Sequence, residues 1–172
     1  MRDERDYVEY VQARMPALRR LAYRLSGDWP AADDLLQECL VALYRHWRKA
    51  VAADSLDAYV RAVLVHAYLA ERQRPWSRRV RPTAEVAELA DAPAPVPGGG
   101  AEHRVDLLAA LAKLSRGQRA VLVLRYWEDL DVAQTATVLG CSVGTVKSQT
   151  SYAIAALRRL LPNYVPGGTD IP

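Results

Sequence analysis

Residues Arg81 to Val105 read RPTAEVAELADAPAPVPGGGAEHRV, and this segment constrains the architecture more than any other part of the chain. Pro93, Pro95 and Pro97 lack a backbone N–H, and Gly98, Gly99 and Gly100 follow at once, so no regular element is expected through them. The segment also offers little bulky apolar surface to bury. The chain is therefore expected to fold as two units, residues 1–81 and 105–161, with 82–104 as a flexible acidic linker and 162–172 as a disordered tail.

On both sides of that segment the apolar residues recur at helical steps, and no useful stretch alternates as a strand does. The fold class expected is all-α, two small helical domains. In the first, Val8, Val11, Met15, Leu18, Leu21, Ala22 and Leu25 form one stripe that Pro16 should kink or split, and Ser26 and Gly27 end it. A second helix opens at Pro30 after the cap Asp28 and aligns Leu36, Leu40, Leu43 and Trp47. The stretch KAVAADS, Lys49 to Ser55, reads as a loop. A third helix from about Leu56 turns Tyr59, Val60, Val63, Leu64 and Ala67 inward and ends in ERQRPWSRRVR, five arginines in eleven residues around Trp76.

The net charge of +3 is weak, but its distribution is informative. Residues 1–81 hold 15 Lys/Arg and 11 Asp/Glu, residues 82–105 hold 1 and 4, and residues 106–172 hold 7 and 5. Two mildly basic ends around an acidic middle suit two contacts on a polyanion, and a solvated surface tolerates the same layout. Cys39 and Cys141 are far apart with no CxxC and no clustered histidine, so each reads as a small buried hydrophobe, and no metal, cofactor or disulfide is expected. His46, His66 and His103 accompany no nucleophile, which argues against an enzyme. No apolar run approaches the roughly 18 residues of a spanning helix, so no membrane insertion and a cytoplasmic location are expected.

The segment Val132 to Ser151 has the spacing of a helix-turn-helix, with small Ala136 where two helices cross, Gly140 at the bend and Val146 buried in the second helix. On that last helix, Val143 to about Leu161, the inward positions are Val143, Val146, Thr150, Ala153, Leu157 and Leu161. The opposite face gathers Gly144, Ser148, Ser151, Tyr152, Ala155 and Arg159, with Lys147 and Arg158 at its flank. A helix entering the major groove by its N-terminal turns would place Thr145, Lys147 and Ser148 nearest phosphates and base edges. Any helical hairpin can carry Ala and Gly at such spacing, so a packing-only reading stays open. Arg72, Arg74, Arg78, Arg79 and Arg81 suit phosphates and Trp76 suits base stacking, although basic helix ends also simply complement the macrodipole. Asp33, Asp34, Gln37 and Glu38 form the outer side of an otherwise apolar helix, where carboxylates near an N-terminus commonly do no more than satisfy the dipole.

Taken together, DDLLQE (Asp33 to Glu38), YVRAVLVHAYLAERQR, and LSRGQRAVLVLRYWEDLDVAQTATVLGCSVGTVKSQTSYAIAALRRL resemble the sigma-70 family of bacterial RNA polymerase initiation factors over about residues 5–161. Within it the chain is similar to the short extracytoplasmic-function group, and its Ala/Arg content is similar to that of actinobacterial members. The resemblance implies a region 2 that binds the promoter −10 element and a region 4 that binds the −35 element. Asp34, Gln37 and Glu38 would grip the clamp helices of the polymerase β′ subunit, and region 4 would meet the β flap. The loop Lys49 to Ser55 would form a pocket for a flipped base, and Arg61, His66, Glu71, Arg72, Arg74 and Trp76 would line the melted strand. Thr145, Lys147, Ser148, Ser151 and Tyr152, with Arg158 and Arg159, would contact the −35 element. An anti-sigma factor is a further implied partner. The chain departs from the family at His66, where Asn is common, and at Tyr152, where Arg is common, which bears on promoter preference. The competing reading is a stand-alone helix-turn-helix regulator, and no receiver-like alternation of strand and helix precedes the motif to favour it. A third, a helical scaffold that binds only protein, predicts no salt-dependent affinity for DNA.

Overall fold

The computed structural model describes residues 2–71 and 101–162, which form eight α-helices and, among the described residues, no strand. They are α1 Arg2–Ser26, α2 Trp29–Arg45, α3 Trp47–Val51, α4 Leu56–Ala70, α5 Ala101–Ala112, α6 Arg116–Tyr126, α7 Val132–Leu139 and α8 Val143–Leu160. Most of the linker, residues 82–100, the arginine-rich segment with Arg72, Arg74 and Trp76, and all but the first residue of the tail lie outside the described residues. Helix α5 begins at Ala101, inside the stretch read as linker.

Local chemistry accounts for the helix ends. Asp28 caps α2 by accepting from the Ala31 N–H at 2.8 Å, with proline in the first turn. Ser55 caps α4 through the Ala58 N–H. Ser115 with Gln118, and Asp131 with Gln134, form reciprocal capping boxes at α6 and α7. Helix α1 does not break at Pro16. Its ring lies on the exposed side, while Val11 before it and Leu18 after it are both held in the core. The stretch read as a loop is partly helical: Trp47 and Ala50, three residues apart, are both buried, and one helical turn seats both, so Lys49 lies on α3.

Val8 was expected in the core and is 44% exposed. Tyr7 and Tyr10, on the other side of α1, take the packing against Trp47, Tyr7 at a ring-centroid distance of 5.3 Å. Cys39 is buried, as read, but Cys141 is only partly so. Burial pushes the Cys39 thiol up to about 12. Since the thiolate is the reacting form, a native chain at pH 8 is expected to give one fast-reacting thiol, Cys141, and to release Cys39 to a thiol reagent only on unfolding. Peptide mapping of the labelled cysteines checks this, and rapid native labelling of Cys39 would contradict it.

The two units pack against each other. One core cluster runs from Leu21, Leu25, Leu43 and Leu64 of the first unit to Ala120, Val123, Leu124 and Val138 of the second. Helix α6 carries this contact because Arg119 to Leu124 are all buried. Ala120, Val123 and Leu124 face the first unit, Val121 meets Ala136 and Val146, and Leu122 meets Leu107, Leu111 and Ala153. A helix apolar all round must be covered all round, and the first unit supplies the third wall.

Candidate nucleic-acid interface

The helix-turn-helix has the geometry its spacing implies. Gly140 ends α7 at φ 66° and ψ 35°, the left-handed conformation that favours glycine. Ala136 is buried at the crossing, and Val146 is the first residue of α8 seated between α6 and α7. Val143, expected inward, is 42% exposed, because it lies in the turn before that seat. Ser142 caps α8, accepting from the Thr145 N–H at 3.1 Å, and its hydroxyl also bonds the Thr145 hydroxyl at 2.9 Å. A side chain at Gly144 would meet only the Ser142 hydroxyl, at 3.8 Å, so nothing within the described residues requires glycine there.

Thr145, Lys147, Ser148, Ser151, Tyr152, Arg158 and Arg159 are all exposed on α8, with Tyr152 at 63%. They are brought together on one open face, short and hydroxylated at its start and cationic at its end. Backbone N–H groups of a first helical turn, one lysine and two terminal arginines are the donors that a polyanionic duplex takes.

On α2, Asp34 and Gln37 are exposed and Glu38 is half-buried. Both Asp33 oxygens are held by Arg19, at 2.7 and 3.0 Å, and the Arg19 guanidinium also lies over the Trp29 ring. Val41 and Tyr44, 51% and 55% exposed, extend the Asp34–Gln37 side of α2 by further turns, an apolar continuation that the sequence reading missed.

The α4 residues are placed differently. Arg61 and His66 meet the second unit. Arg61 Nε donates to Glu128 Oε2 at 3.2 Å, and His66 Nε2 donates to the Val138 carbonyl at 2.7 Å. Glu71 is bonded by Arg116 at 3.1 Å, and Arg116 also donates to the Tyr68 carbonyl. Arg24 Nη1 reaches Glu128 Oε1 at 3.4 Å, and Arg119 Nε donates to the Arg24 carbonyl at 2.8 Å. Gly27, at φ 96°, lets this guanidinium approach, since a side chain there would meet Arg119 Nη2 at 3.1 Å. Burial pushes both Arg24 and Arg119 below the usual arginine value, only partly offset for Arg24 by Glu128. Arg24, Arg116, Arg119 and Glu128 escaped the sequence reading. Arg119, set directly before the apolar run AVLVL, was the available signal.

The described residues contain no group of three His, Cys, Asp or Glu side chains able to hold a metal ion, and none of their helices is long and apolar enough to cross a membrane. The fold defines a class: among the described residues, an all-helical protein whose helix-turn-helix is coupled to a second helical unit with its own polar face.

Residues 10–78 match the model of sigma-70 region 2, and residues 104–157 match that of sigma-70 region 4. The chain is 38% identical over 158 residues to the RNA polymerase sigma-E factor of Streptomyces avermitilis, spanning 91% of this chain and 85% of that protein. It is 34% identical to the ECF RNA polymerase sigma factor SigL of Mycobacterium tuberculosis, over 84% of this chain and 82% of that one. The fold superposes on the sigma factor RpoE of Bartonella quintana, solved in complex with the anti-sigma factor NepR, with a TM-score of 0.68, 27% identity and coverage of 93% of this chain and 99% of that one. The chain belongs to the sigma-70 family of RNA polymerase initiation factors, in its extracytoplasmic-function group.

Proposed function

We propose that the chain acts in the cytoplasm, without catalysis of its own, by binding core RNA polymerase and directing it to promoters through two separate faces. The observation that carries this is the open face of α8, Thr145 to Arg159, on a helix-turn-helix whose turn is set by Gly140. Thr145, Lys147, Ser148, Ser151 and Tyr152 contact the −35 element, with Arg158 and Arg159 on its phosphates. Asp34, Gln37 and Glu38 take the β′ clamp helices, and region 4 takes the β flap. Lys49, Arg61, His66, Arg72, Arg74 and Trp76 serve the −10 strand. For Arg61 and His66 this requires the second unit to move off α4, since both are bonded to it in the closed chain. An anti-sigma factor is the partner that the likeness to the NepR-bound RpoE supports.

Co-purification with core polymerase, followed by transcription from a promoter library, tests the reading. Initiation at promoters sharing a −35 motif is expected, and binding to duplex without core would return the stand-alone regulator. Lys147→Ala is expected to weaken duplex binding about equally across sequences and to lower the salt slope by about one unit, as loss of one phosphate contact does. A loss confined to one base position would make Lys147 a base reader instead.

A further inference from the structure

Glu128 sits in the turn after α6, and that turn is held firmly. The Glu128 N–H donates to the Val123 carbonyl at 3.1 Å, the Leu130 N–H to the Leu124 carbonyl at 3.0 Å, and Arg125 to the Leu130 carbonyl at 2.7 Å. Its carboxylate is thereby presented to two guanidinium groups from different helices of the first unit, Arg24 on α1 and Arg61 on α4, one to each oxygen. The side chains are 10%, 24% and 18% exposed for Arg24, Arg61 and Glu128, so the three charges are mostly withdrawn from water. Arg20 adds a further positive charge beside Arg24. One carboxylate therefore faces an excess of cation, and two arginines converging on two oxygens is the arrangement that also suits a phosphodiester.

The ion pairs add only moderately to the closure. Arg24 Nε and Arg119 Nη2 are buried with no acceptor among the described residues, and a buried guanidinium with unmet N–H groups offsets much of what its ion pair contributes. Contacts between units of one chain commonly give way to a better partner.

We propose that Arg24 and Arg61 form a phosphate-binding site for single-stranded DNA and that Glu128 occupies it in the closed chain, so that opening of the two units and strand binding compete for the same two guanidinium groups. The inference deepens the initiation-factor reading and rests on it: it adds Arg24, which sequence spacing did not indicate, and gives Glu128 the part of an internal stand-in for the strand.

The test uses the full chain and a short fluorescein-labelled single-stranded oligodeoxynucleotide rich in adenine and thymine. Glu128→Gln keeps the shape and removes the charge. It is expected to enlarge the radius of gyration in small-angle scattering and to tighten oligonucleotide binding about five- to a hundredfold, the usual span of such coupling. Adding Arg24→Gln or Arg61→Gln to Glu128→Gln is expected to cancel the gain. An opened chain with unchanged affinity, or a gain that survives loss of both arginines, overturns the proposal, as does a chain that stays closed without the carboxylate. Should Glu128→Gln lose its cooperative melt, Arg116→Gln loosens the interface from its other end, at Tyr68 and Glu71, without touching Glu128. The same gain, cancelled by Arg24→Gln, is then expected, and its absence is equally fatal. Pull-down of core polymerase by wild type and variant reads the initiation-factor assignment separately. Absence of core binding by wild type with the gain intact rejects that assignment, and core binding without the gain rejects only the phosphate site.

Discussion

Core polymerase is expected to bind the Asp34→Lys, Gln37→Ala double variant at least about tenfold, and up to about a thousandfold, more weakly than wild type, since one charge-assisted hydrogen bond is worth about 1.5–3 kcal/mol and reversal of the charge adds repulsion. Both side chains are exposed on α2, and the core face of that helix is occupied by Ala32, Leu35, Leu36, Cys39 and Leu43. The substitutions therefore leave the bundle intact, and thermal stability should move by no more than about 0.5 kcal/mol. Asp33 is left alone because it holds Arg19, and changing it would confound folding with binding. Fluorescence titration against core enzyme reads the affinity and circular dichroism the fold. Equal affinity of variant and wild type would remove this face of α2 from the polymerase contact.

The second large effect is on stability. Leu124→Ala is expected to cost about 2–5 kcal/mol, the range for a fully buried leucine whose surroundings collapse only in part. Leu43→Ala, equally buried, should cost a similar amount. The two differ in where the lost contacts lie. Leu43 is packed within the first unit, whereas Leu124 belongs to the second and is covered by the first. Urea unfolding should show both losses, and only Leu124→Ala should also enlarge the chain in scattering before it unfolds. An equal change of dimensions in both variants would mean that docking is not carried by α6.

Much of this was legible because it is local. Asp28 before Pro30, Gly140 between two apolar helical patterns, and Ala136 with Val146 each act within a turn or two of themselves, and a short window contains the whole cause. That the helix is not split at Pro16 depends on anchors at Val11 and Leu18, beyond the residue's own steric effect. The turn Trp47–Val51 was missed because Lys49, Ala50 and Val51 look like loop residues until the site that buries Ala50 together with Trp47 exists. Least legible was the docking of the two units. Arg24 and Glu128 were not singled out in sequence, and Arg61 and His66 were read only as facing a melted strand; Arg24 and Arg61 meet Glu128, and His66 meets Val138, only across the length of a fold. Of the faces proposed for the polymerase and the −35 element, the exposed positions were foreseen because helical periodicity alone separates outward from inward. The assignment of Arg61 and His66 to an open strand face did not anticipate what covers them.

Helix α6 has a further consequence. Most helices of a small protein have one side on which almost any polar residue is tolerated, and that side is where sequences drift apart. From Arg119 to Leu124 there is no such side. Each position answers to one of three neighbours: the first unit, the partner helices of the turn motif, or α5 and the far end of α8. Variation here cannot be absorbed by solvent. A change at one position is accommodated only by a matching change in whichever wall it touches, so this short helix ties the histories of three otherwise separable parts of the chain to one another.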